Sequence, residues 1–421
     1  MARAALGLYR AVMTVALPLA APWLLAADRR RGKKRPPLAQ RLGHQLPSLP
    51  QGGVWVQAVS VGEVAVARLL LAELRRRHPE IPIVLSATTA TGLSLATGQQ
   101  QADTVVPFPL DLPGPVRRVL DAARPRLVVL VETELWPEML AACGERGIPV
   151  AIINARVSDR SFRGYRMLRP LLASLLQPVT MALAQEQQDA ARLAAIGLPA
   201  DRIQVLGNLK FDVGPPKTAP QVVAEVRRLA AGRSVVVAGS TKEGEEVQVL
   251  RAIRRQPARE RVFLLLAPRH PERASAVLEM AAANGFSAER RTLLAAASPG
   301  CEVLVLDTVG ELAALYELAQ VAFVGGSLVP TGGQNPIEPA RFAVPVLTGP
   351  HFRNFTAVYR RFFEVGGARM VRNESELAGA LAEWLSDPDA ARRTGEAGRR
   401  LLEANAGAAA RTVTALEKLL A

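Results

Sequence analysis

The 421-residue sequence has only two cysteines, and aromatic residues make up just 5% of it. Cys143 and Cys301 lie far apart, with no CxxC pair and no nearby histidine, which excludes a local zinc motif and gives no sign of a disulfide framework. The sequence also lacks a GxxxxGK[ST] loop and a GxGxxG turn after a strand, which weakens the ATPase and dinucleotide-binding interpretations. No carboxylate or histidine cluster indicates a metal site. Together these absences favour a protein of a reducing compartment, with no metal and no catalytic thiol.

Positive charge is abundant, with a formal net charge of +14. Such a surface attracts nucleic acid, anionic lipid or phosphorylated substrates, and charge alone does not choose among them. The densest basic run, Arg29–Arg35, directly follows an apolar stretch, and no aromatic-and-glycine motif for stacking bases is present. We therefore expect membrane and phosphate partners and no nucleic acid.

The amino-terminal stretch Ala4–Ala27 is nearly all apolar, and about 20 such residues in a helix span a bilayer core. The basic run Arg29–Arg35 places the rest of the chain in the cytoplasm by the positive-inside rule. A cleaved signal peptide is disfavoured, because the basic residues crowd the far side of the segment. A helix lying in the interface, with Arg10 reaching lipid headgroups, remains open. We expect residues 1–35 to be a membrane anchor with a basic flank.

Beyond Leu46 the chain alternates short β-branched runs with longer amphipathic ones, which predicts parallel sheets joined by helices. The linker Asp212–Pro220, with three prolines and a glycine, separates an amino-terminal domain (36–211) from a carboxy-terminal one (221–421), both Rossmann-like. Two doubly wound α/β domains facing a cleft describe the GT-B architecture, although a two-domain dehydrogenase has the same pattern. The predicted strands are Val54–Val59, Ile81–Ser86, Leu127–Val131, Val150–Ile153 and Ile203–Leu206, then Ser234–Ala238, Val262–Ala267, Val303–Leu306, Val321–Val324 and Val344–Leu347.

Polar residues follow several strands of the first half, where ligands of such sheets bind. Glu63 follows the first strand and is a candidate general base, or equally a first-turn carboxylate that complements the helix dipole. Glu132 and Glu134 follow another strand, and Glu134 is slightly better explained as a helix-capping acid. Asn154 is either a polar site residue or an ordinary turn residue. Lys210 is suited to balancing phosphate charge, although lone loop lysines are mostly just solvated.

The second half has glycine, hydroxyl and basic residues after its strands, which together favour a nucleotide site. Arg269 is suited to binding phosphate, and Glu338 to accepting hydrogen bonds from ribose hydroxyls. The triplet Asp387-Pro388-Asp389 looks like a metal-binding DxD, but a helix cap is the better interpretation. The loops concerned are Gly239–Thr241, Ala267–Pro271, Asp307–Glu311, Gly325–Ser327 and Gly332–Pro339.

These segments together resemble the Kdo (3-deoxy-D-manno-octulosonic acid) transferases, which are glycosyltransferases of GT-B type. The matching blocks run in the family order across nearly the whole chain, and several are long and specific. They are VSVGE (59–63), ETELWP (132–137), NARVSDRSFRGY (154–165), GNLKFD (207–212), GSTKEGEE (239–246), APRHPER (267–273), DTVGEL (307–312), FVGGSLVPTGGQNPIEP (323–339) and PVLTGPHFRNF (345–355).

The resemblance implies transfer of Kdo from CMP-Kdo to a lipid A precursor (lipid IVA) in lipopolysaccharide core biosynthesis, with inversion and with no metal or other cofactor. It implies that Glu63 is the general base, and that Glu132 and Lys210 stabilise the transition state. It also implies a site on the cytoplasmic face of the inner membrane, against an anionic lipid surface. The CMP-binding positions by the same likeness are Pro268, Arg269, Val309, Gly310, Glu311, Asn335, Pro336, Ile337 and Glu338.

Two residues depart from the family pattern: Gln334 stands where histidine is expected, and Val309 where methionine is common. Both changes predict an altered donor affinity with the same chemistry. Another GT-B glycosyltransferase or a sugar-nucleotide epimerase is the nearest rival, and it would need neither an anchor nor the blocks SVGE and ETELWP. A basic membrane-bound scaffold is the non-enzymatic rival, and it gives no reason for acids and glycines at so many strand ends.

Overall fold

The computed structural model describes residues 6–7, 9–13, 36, 38–98, 101–212, 220–296 and 300–420. The chain divides into two compact units, one formed by Met1–Asp212 with Gly407–Ala421 and the other by Val213–Ala406. In the described residues, each unit contains one seven-stranded sheet whose paired strands all run parallel. The predicted architecture of two parallel-sheet α/β domains is therefore confirmed.

The first unit has the strand order β3-β2-β1-β4-β5-β6-β7, so the order reverses direction between β1 and β4. Its strands are β1 (Val54–Ala58), β2 (Ile83–Ala87), β3 (Thr104–Pro107), β4 (Leu127–Val131), β5 (Val150–Ala155), β6 (Val179–Ala184) and β7 (Ile203–Val205). Its helices are α1 (Leu38–Arg41), α2 (Val61–Arg77), α3 (Ala90–Thr97), α4 (Pro113–Ala123), α5 (Pro137–Glu145), α6 (Asp159–Met167), α7 (Arg169–Leu175) and α8 (Gln187–Ala195), with α17 (Ala408–Leu420) from the end of the chain.

Strand β4 shows why these runs are strands with two covered faces. All five residues of Leu127–Val131 are buried, and successive side chains point to opposite faces of a strand. Val128 and Leu130 join the hydrophobic cluster on one face, and Leu127, Val129 and Val131 join the cluster on the other. Continuous apolar runs of this kind are typical of parallel sheets covered by helices on both sides.

The final helix belongs to the first unit, whereas the sequence predicted one domain over residues 221–421. Helix α17 packs against α2, and its buried residues Val413 and Leu416 join the core of the first unit. Asp212 receives a hydrogen bond from the backbone amide of Gly407 at 2.6 Å. The chain therefore returns to its first unit at residue 407, because the apolar face of α17 completes that core.

The second unit has the strand order β10-β11-β9-β8-β12-β13-β14, which reverses direction between β8 and β12. Its strands are β8 (Ser234–Thr241), β9 (Val262–Pro268), β10 (Ala288–Arg290), β11 (Val303–Val305), β12 (Val321–Val324), β13 (Val346–Thr348) and β14 (Ala368–Met370). Its helices are α9 (Pro220–Ala230), α10 (Glu245–Arg254), α11 (Ala274–Ala283), α12 (Leu312–Leu315), α13 (Ile337–Ala340), α14 (Thr356–Glu364), α15 (Glu374–Ser386) and α16 (Pro388–Asn405).

Most of the predicted anchor (residues 1–5, 8 and 14–35) and most of the predicted linker (213–219) lie outside the described residues. Among the helices that are described, none combines the length and the apolarity needed to cross a bilayer. The anchor therefore stays a prediction.

Candidate active site

In the first unit, the polar loops predicted from sequence meet at one edge of the sheet. The strands are parallel, so all their carboxyl ends lie at that edge, and ligands of such sheets bind where the strand order reverses. Glu63 follows β1 and Glu132 follows β4, the two strands that flank the reversal. Lys210 follows β7, and its Nζ lies 2.9 Å from Oε1 of Glu132. The structure thus brings Glu132 and Lys210 into direct contact.

Glu63 is buried, with 7% of its surface exposed, in the first turn of α2. Its carboxylate accepts hydrogen bonds from the backbone amide of Val59 at 2.7 Å and the hydroxyl of Ser60 at 2.8 Å. The pKa of Glu63 is raised to about 7. Burial is the main cause of this rise, the two hydrogen bonds partly oppose it, and the negative charges of Glu132 and Glu134 add to it. The carboxylate therefore has the position of a helix-start acid and also the pKa of a general base at neutral pH.

The backbone at the end of β4 holds Glu132 in an unusual conformation. Its φ is +59°, in the left-handed region that non-glycine residues seldom adopt outside functional or turn positions. Its amide donates to the carbonyl of Ile153 at 2.9 Å, and the hydroxyl of Thr133 accepts from the amide of Arg156 at 3.0 Å. Burial, followed by the charge of Glu132, raises the pKa of Glu134. The negative charges at this edge thus raise the pKa of neighbouring carboxyl groups: Glu132 and Glu134 raise that of Glu63, and Glu132 raises that of Glu134.

A chain of buried amide side chains supports the turn that carries Lys210. Asn154 has a φ of +50°, and its Oδ1 accepts from the amide of Leu209 at 3.0 Å. Nε2 of Gln185 donates to the carbonyl of Asn154, and Oε1 of Gln185 accepts from Nδ2 of Asn208, each at 2.9 Å. Oδ1 of Asn208 then accepts from the amide of Lys210 at 2.9 Å. These hydrogen bonds join the carboxyl ends of β5, β6 and β7 and support the turn that carries the Lys210 ammonium group.

No role is predicted for Gln185 or Asn208 from their positions in the sequence, and Asn154 has the alternative of an ordinary turn residue. These contacts could not be predicted from the sequence. Asn154 and Gln185 are 31 residues apart, Gln185 and Asn208 are 23 apart, and only the order of the strands brings them together. Nδ2 of Asn154 is buried and has no hydrogen-bond partner within the described residues. The only available signal was the type of residue found after β6 and β7.

The described part of the amino-terminal segment is fastened to the first unit. Arg10 forms two hydrogen bonds of 2.8 Å with the carboxylate of Glu138, which is buried in the first turn of α5. The hydroxyl of Tyr9 donates to Asp111 at 2.8 Å, and Asp111 accepts from the amides of Glu138 and Met139. Burial raises the pKa of Asp111 to about 6. Arg10 thus pairs with a carboxylate of the fold, whereas the interfacial alternative had its side chain reaching lipid headgroups.

In the second unit, the loops after β11, β9, β8 and β12 lie side by side at the carboxyl edge of the sheet. The amide of Arg269 donates to the carbonyl of Thr241 at 2.9 Å, which joins two of these loops. Burial raises the pKa of Glu338, whereas a 3.4 Å hydrogen bond from Asn335 and the charges of Arg269 and Arg341 lower it. Arg269 and Glu338 are therefore near enough to interact, as a shared nucleotide site requires.

The loop before α13 bends tightly at its glycines. Gly333 has a φ of +74°, and a Cβ there would lie 2.8 Å from the Cα of Phe352. Oδ1 of Asn335 accepts from the amide of Ile337 at 3.1 Å, and this fixes the start of α13. Pro336 immediately precedes the helix as its N-cap residue.

The predicted nucleotide-site loop Gly239–Thr241 is the end of a strand in the structure. Strand β8 continues to Thr241, and helix α10 starts only at Glu245. The buried carboxylate of Glu245 accepts from the amides of Gly326 at 2.6 Å and of Ser327 and Leu328 at 2.8 Å. These three amides are therefore occupied by a side chain of the protein, and Glu245 supports the loop as an internal anion.

The loop after β11 presents mostly apolar and backbone surface. Val309 is 87% exposed, and Gly310 has a φ of +92°. The carboxylate of Glu311 lies 3.0 Å from Nε of Arg291 and accepts from the hydroxyl of Thr308 at 2.6 Å. Pro268 is the buried last residue of β9. Glu311 is thus held inside the unit, and Val309 is the side chain of this loop that faces solvent.

The structure confirms that Asp387 is a helix cap, because its Oδ1 accepts from the amides of Asp389 and Ala390 at the start of α16. Within the described residues, no group of three or more histidine, cysteine or acidic side chains is arranged to hold a metal ion. Both cysteines are buried, and burial raises the pKa of Cys143 to about 12. Burial therefore disfavours the thiolate form of Cys143.

The chain is similar to known proteins in family, in sequence and in structure. The family model described as 3-Deoxy-D-manno-octulosonic-acid transferase (kdotransferase) matches residues 36–213. The 3-deoxy-D-manno-octulosonic acid transferase of Haemophilus influenzae is 32% identical over 419 residues, covering 98% of each chain. The one of Bordetella pertussis is 36% identical over 432 residues, covering 98% of this chain and 99% of its own.

Among solved structures, the UDP-GlcNAc 2-epimerase from Neisseria meningitidis matches 87% of this chain and 100% of its own. The TM-score is 0.54 and the sequence identity 13%, so the likeness shows a common fold and nothing about the reaction.

Proposed function

The chain belongs to the 3-deoxy-D-manno-octulosonic acid transferase family, and from this premise we propose that it transfers Kdo from CMP-Kdo to a lipid A precursor such as lipid IVA. Relatives at 32% and 36% identity match it over nearly their whole length and share this activity by name. Membership makes the chain a glycosyltransferase of lipopolysaccharide core synthesis. The rival interpretations as an epimerase or a basic scaffold are thereby set aside.

The observation that carries the proposal is the buried Glu63 with a pKa of about 7. A sugar hydroxyl is a weak nucleophile, and a base with a pKa near the working pH gains the most from removing its proton. In the proposed reaction Glu63 takes that proton as the acceptor oxygen bonds to the anomeric carbon of Kdo. The bond from that carbon to the phosphate oxygen of CMP breaks, and CMP leaves with the electron pair. Attack opposite the leaving group inverts the anomeric carbon.

The Glu132–Lys210 pair is proposed to stabilise the charge that develops in the transition state. The two groups are fixed by hydrogen bonds to backbone and amide side chains, so they need little reorganisation during the reaction. Lys210 offers donors to developing negative charge, and Glu132 offers a negative field to a cation-like sugar. We propose that these fixed charges serve in place of a metal ion.

The edge of the second unit is proposed as the CMP site. Arg269 carries the guanidinium group suited to the phosphate, and Glu338 with Asn335 supplies acceptors and donors for ribose hydroxyls. The remaining predicted contacts come mainly from the backbone and apolar surface of the same loops, at Pro268, Val309, Gly310, Glu311, Pro336 and Ile337.

Membrane attachment on the cytoplasmic face of the inner membrane is part of the proposal. A lipid acceptor lies in the bilayer, whereas a nucleotide sugar is soluble, so the enzyme must work at their boundary. The apolar run Ala4–Ala27 and the basic run Arg29–Arg35 support this placement. Tyr9 and Arg10 fasten the start of that run to the first unit.

The test measures Kdo transfer from CMP-Kdo to a tetraacylated lipid A precursor, with the products resolved by mass. Wild type is compared with Glu63→Ala and with Glu80→Ala, which removes an exposed carboxylate after α2 as a matched control. The proposal predicts transfer by wild type and the control, and loss of transfer by a folded Glu63→Ala variant that still binds CMP. Inactive wild type that binds another nucleotide would overturn the donor assignment. An active Glu63→Ala variant would move the base to Glu132 or Glu134.

A further inference from the structure

The loops that follow β12 and β13 in the second unit form a cavity of about 280 Å³. Gly332 lines it from the loop after β12, and the segment after β13 contributes His351, Phe352, Arg353 and Thr356. Pockets for drug-sized ligands measure about 300–1,000 Å³, so this cavity has the size for one sugar ring rather than for a whole nucleotide. Both strands end at the carboxyl edge of the sheet, where ligands of parallel sheets bind.

The walls of this cavity are held in place by hydrogen bonds between the two loops. The amide of Asn354 donates to the carbonyl of Gly332, and the amide of His351 donates to the carbonyl of Ser327, each at 2.9 Å. The amide of Ser327 in turn donates to the buried carboxylate of Glu245 at 2.8 Å. The cavity is therefore preformed, which reduces the entropy that is lost when a ligand binds.

The polar side chains of the cavity suit an acidic sugar. Of the described residues that line it, none is acidic, and Arg353 and His351 supply a guanidinium group and an imidazole. The guanidinium of Arg353 has no ion pair or hydrogen bond within the part of the chain that the structure describes, and this planar group can hold a carboxylate through two parallel hydrogen bonds. The hydroxyl of Thr356 donates to the carbonyl of Arg353 at 3.1 Å, so its oxygen can accept from a sugar hydroxyl.

The cavity adjoins the proposed CMP site. Gly332 precedes the predicted CMP contacts Asn335–Glu338 by only three residues. The ring centroid of Phe352 lies 5.2 Å from that of Tyr359, and the hydroxyl of Tyr359 donates to the carbonyl of Gln334 at 3.3 Å. A group held in the cavity therefore lies next to the loop proposed to bind the nucleotide, as the transferred sugar of a nucleotide sugar must.

We propose that this cavity is the subsite for the sugar of the donor, and that Arg353 and His351 bind the carboxylate of Kdo. This assignment rests on the proposed function, by which the transferred sugar is an acid. A neutral hexose offers no anionic group to Arg353, so the two side chains favour an acidic sugar over a neutral one. A phosphate of the acceptor has the same anionic chemistry, but the adjoining CMP loop favours the donor.

The first test is the steady-state kinetics of Arg353→Gln and His351→Gln in the full chain. The control is Arg360→Gln, which removes an exposed arginine of α14 that does not line the cavity. Arg353→Gln should raise the KM for CMP-Kdo roughly 10- to 100-fold, and His351→Gln roughly 3- to 10-fold, because hydrogen bonds to a charged group are lost. The kcat and the inhibition constant of CMP should stay within about twofold of wild type, since CMP lacks the sugar acid.

The second test measures binding and needs no transfer. Saturation-transfer NMR, with CMP present, compares the methyl glycoside of Kdo with its 1-carboxamide, which lacks the negative charge. Wild type should give a signal for the acid that is at least roughly threefold that for the carboxamide, and Arg353→Gln should abolish this difference. Arg353→Lys keeps the charge without the planar guanidinium, so it should restore part of the preference.

An unchanged KM for CMP-Kdo in Arg353→Gln overturns the inference, and so does equal binding of the acid and the carboxamide by wild type. An equal rise in the inhibition constant of CMP also overturns it, because Arg353 would then only shape the nucleotide loop. A higher KM for the lipid acceptor with an unchanged KM for CMP-Kdo assigns the cavity to an acceptor phosphate instead. If wild type transfers no Kdo, the proposed function fails, and the NMR comparison alone then decides the inference.

Discussion

Replacing Glu63 by glutamine should remove activity, and the stability of the variant relative to wild type should increase as the pH rises through neutrality. The pKa of Glu63 is about 7 in the folded protein, against an ordinary value of 4.5, mainly because of burial. The folded state therefore holds its proton more tightly than the unfolded state. Between these two pKa values the unfolded chain has released the proton and the folded chain has not, so wild-type stability falls as pH rises.

The magnitude follows from the two pKa values. A shift from 4.5 to about 7 corresponds to about 3 kcal/mol of destabilisation, absent below the lower value and complete above the higher one. Glutamine has no charge to release, so the difference in unfolding free energy, variant minus wild type, should grow by about 3 kcal/mol from roughly pH 4 to pH 8. Altered hydrogen bonds to Val59 and Ser60 add a constant that cancels from this growth.

Denaturant unfolding of both proteins at several pH values measures this difference, and Glu80→Gln should run parallel to wild type. The rate measurement is the pH dependence of kcat/KM for wild type, which should fall on the acid side of about pH 7. Parallel stability curves for wild type and Glu63→Gln, with an acid limb at the ordinary pKa of glutamate, would refute the reasoning. Glu63 would then be a helix-start carboxylate with no raised pKa.

Three further changes test the surroundings of the base. Lys210→Met should lower kcat/KM by roughly 100-fold in steady-state assays, because a fixed charge at the site is lost; an unchanged value would contradict this. Asn208→Ala should lower kcat roughly tenfold with little change in KM, because the Lys210 turn loses a supporting hydrogen bond. The control is Asn405→Ala, which removes an amide that bonds only to the carbonyl of Leu401 within α16 and should change neither constant. Arg10→Ala should lower the free energy of unfolding by about 3 kcal/mol by leaving Glu138 buried and unpaired, and adding Glu138→Gln should recover most of that loss.

Periodicity predicted the sheets best where strands are buried on both faces. Strand β4 was predicted with its observed bounds, and ten of the fourteen strands were found in the correct order. Three of the four missed strands, β3, β10 and β14, lie at sheet edges, where one neighbour is absent and the apolar signal is weak. The fourth, β6 (Val179–Ala184), is interior but contains two alanines, and alanine is depleted in strands, so its strand signal was weak.

The parts of the site that sequence could not predict depend on distance in space. The contact between Glu132 and Lys210 joins residues 78 apart, and Asn154 meets Leu209 over 55 positions. The positive φ of Glu132 is equally hidden, because glutamate gives no local signal for it. Residue types at strand ends predicted which side chains reach the edge, but not which of them pair.

The pairing at this edge decides which carboxylate can act as the base. Lys210 binds Glu132, while Glu63 is held by the uncharged groups of Val59 and Ser60. A lysine on Glu63 would favour its charged form and lower its pKa, making it a weaker base at neutral pH. By holding Lys210 on Glu132, the amide chain through Asn208 keeps Glu63 basic. Lys210→Met should therefore leave the charge of Glu132 unbalanced and move the acid limb of kcat/KM to higher pH. A limb that moves to lower pH would show that Lys210 raises the pKa of Glu63 rather than moderating it.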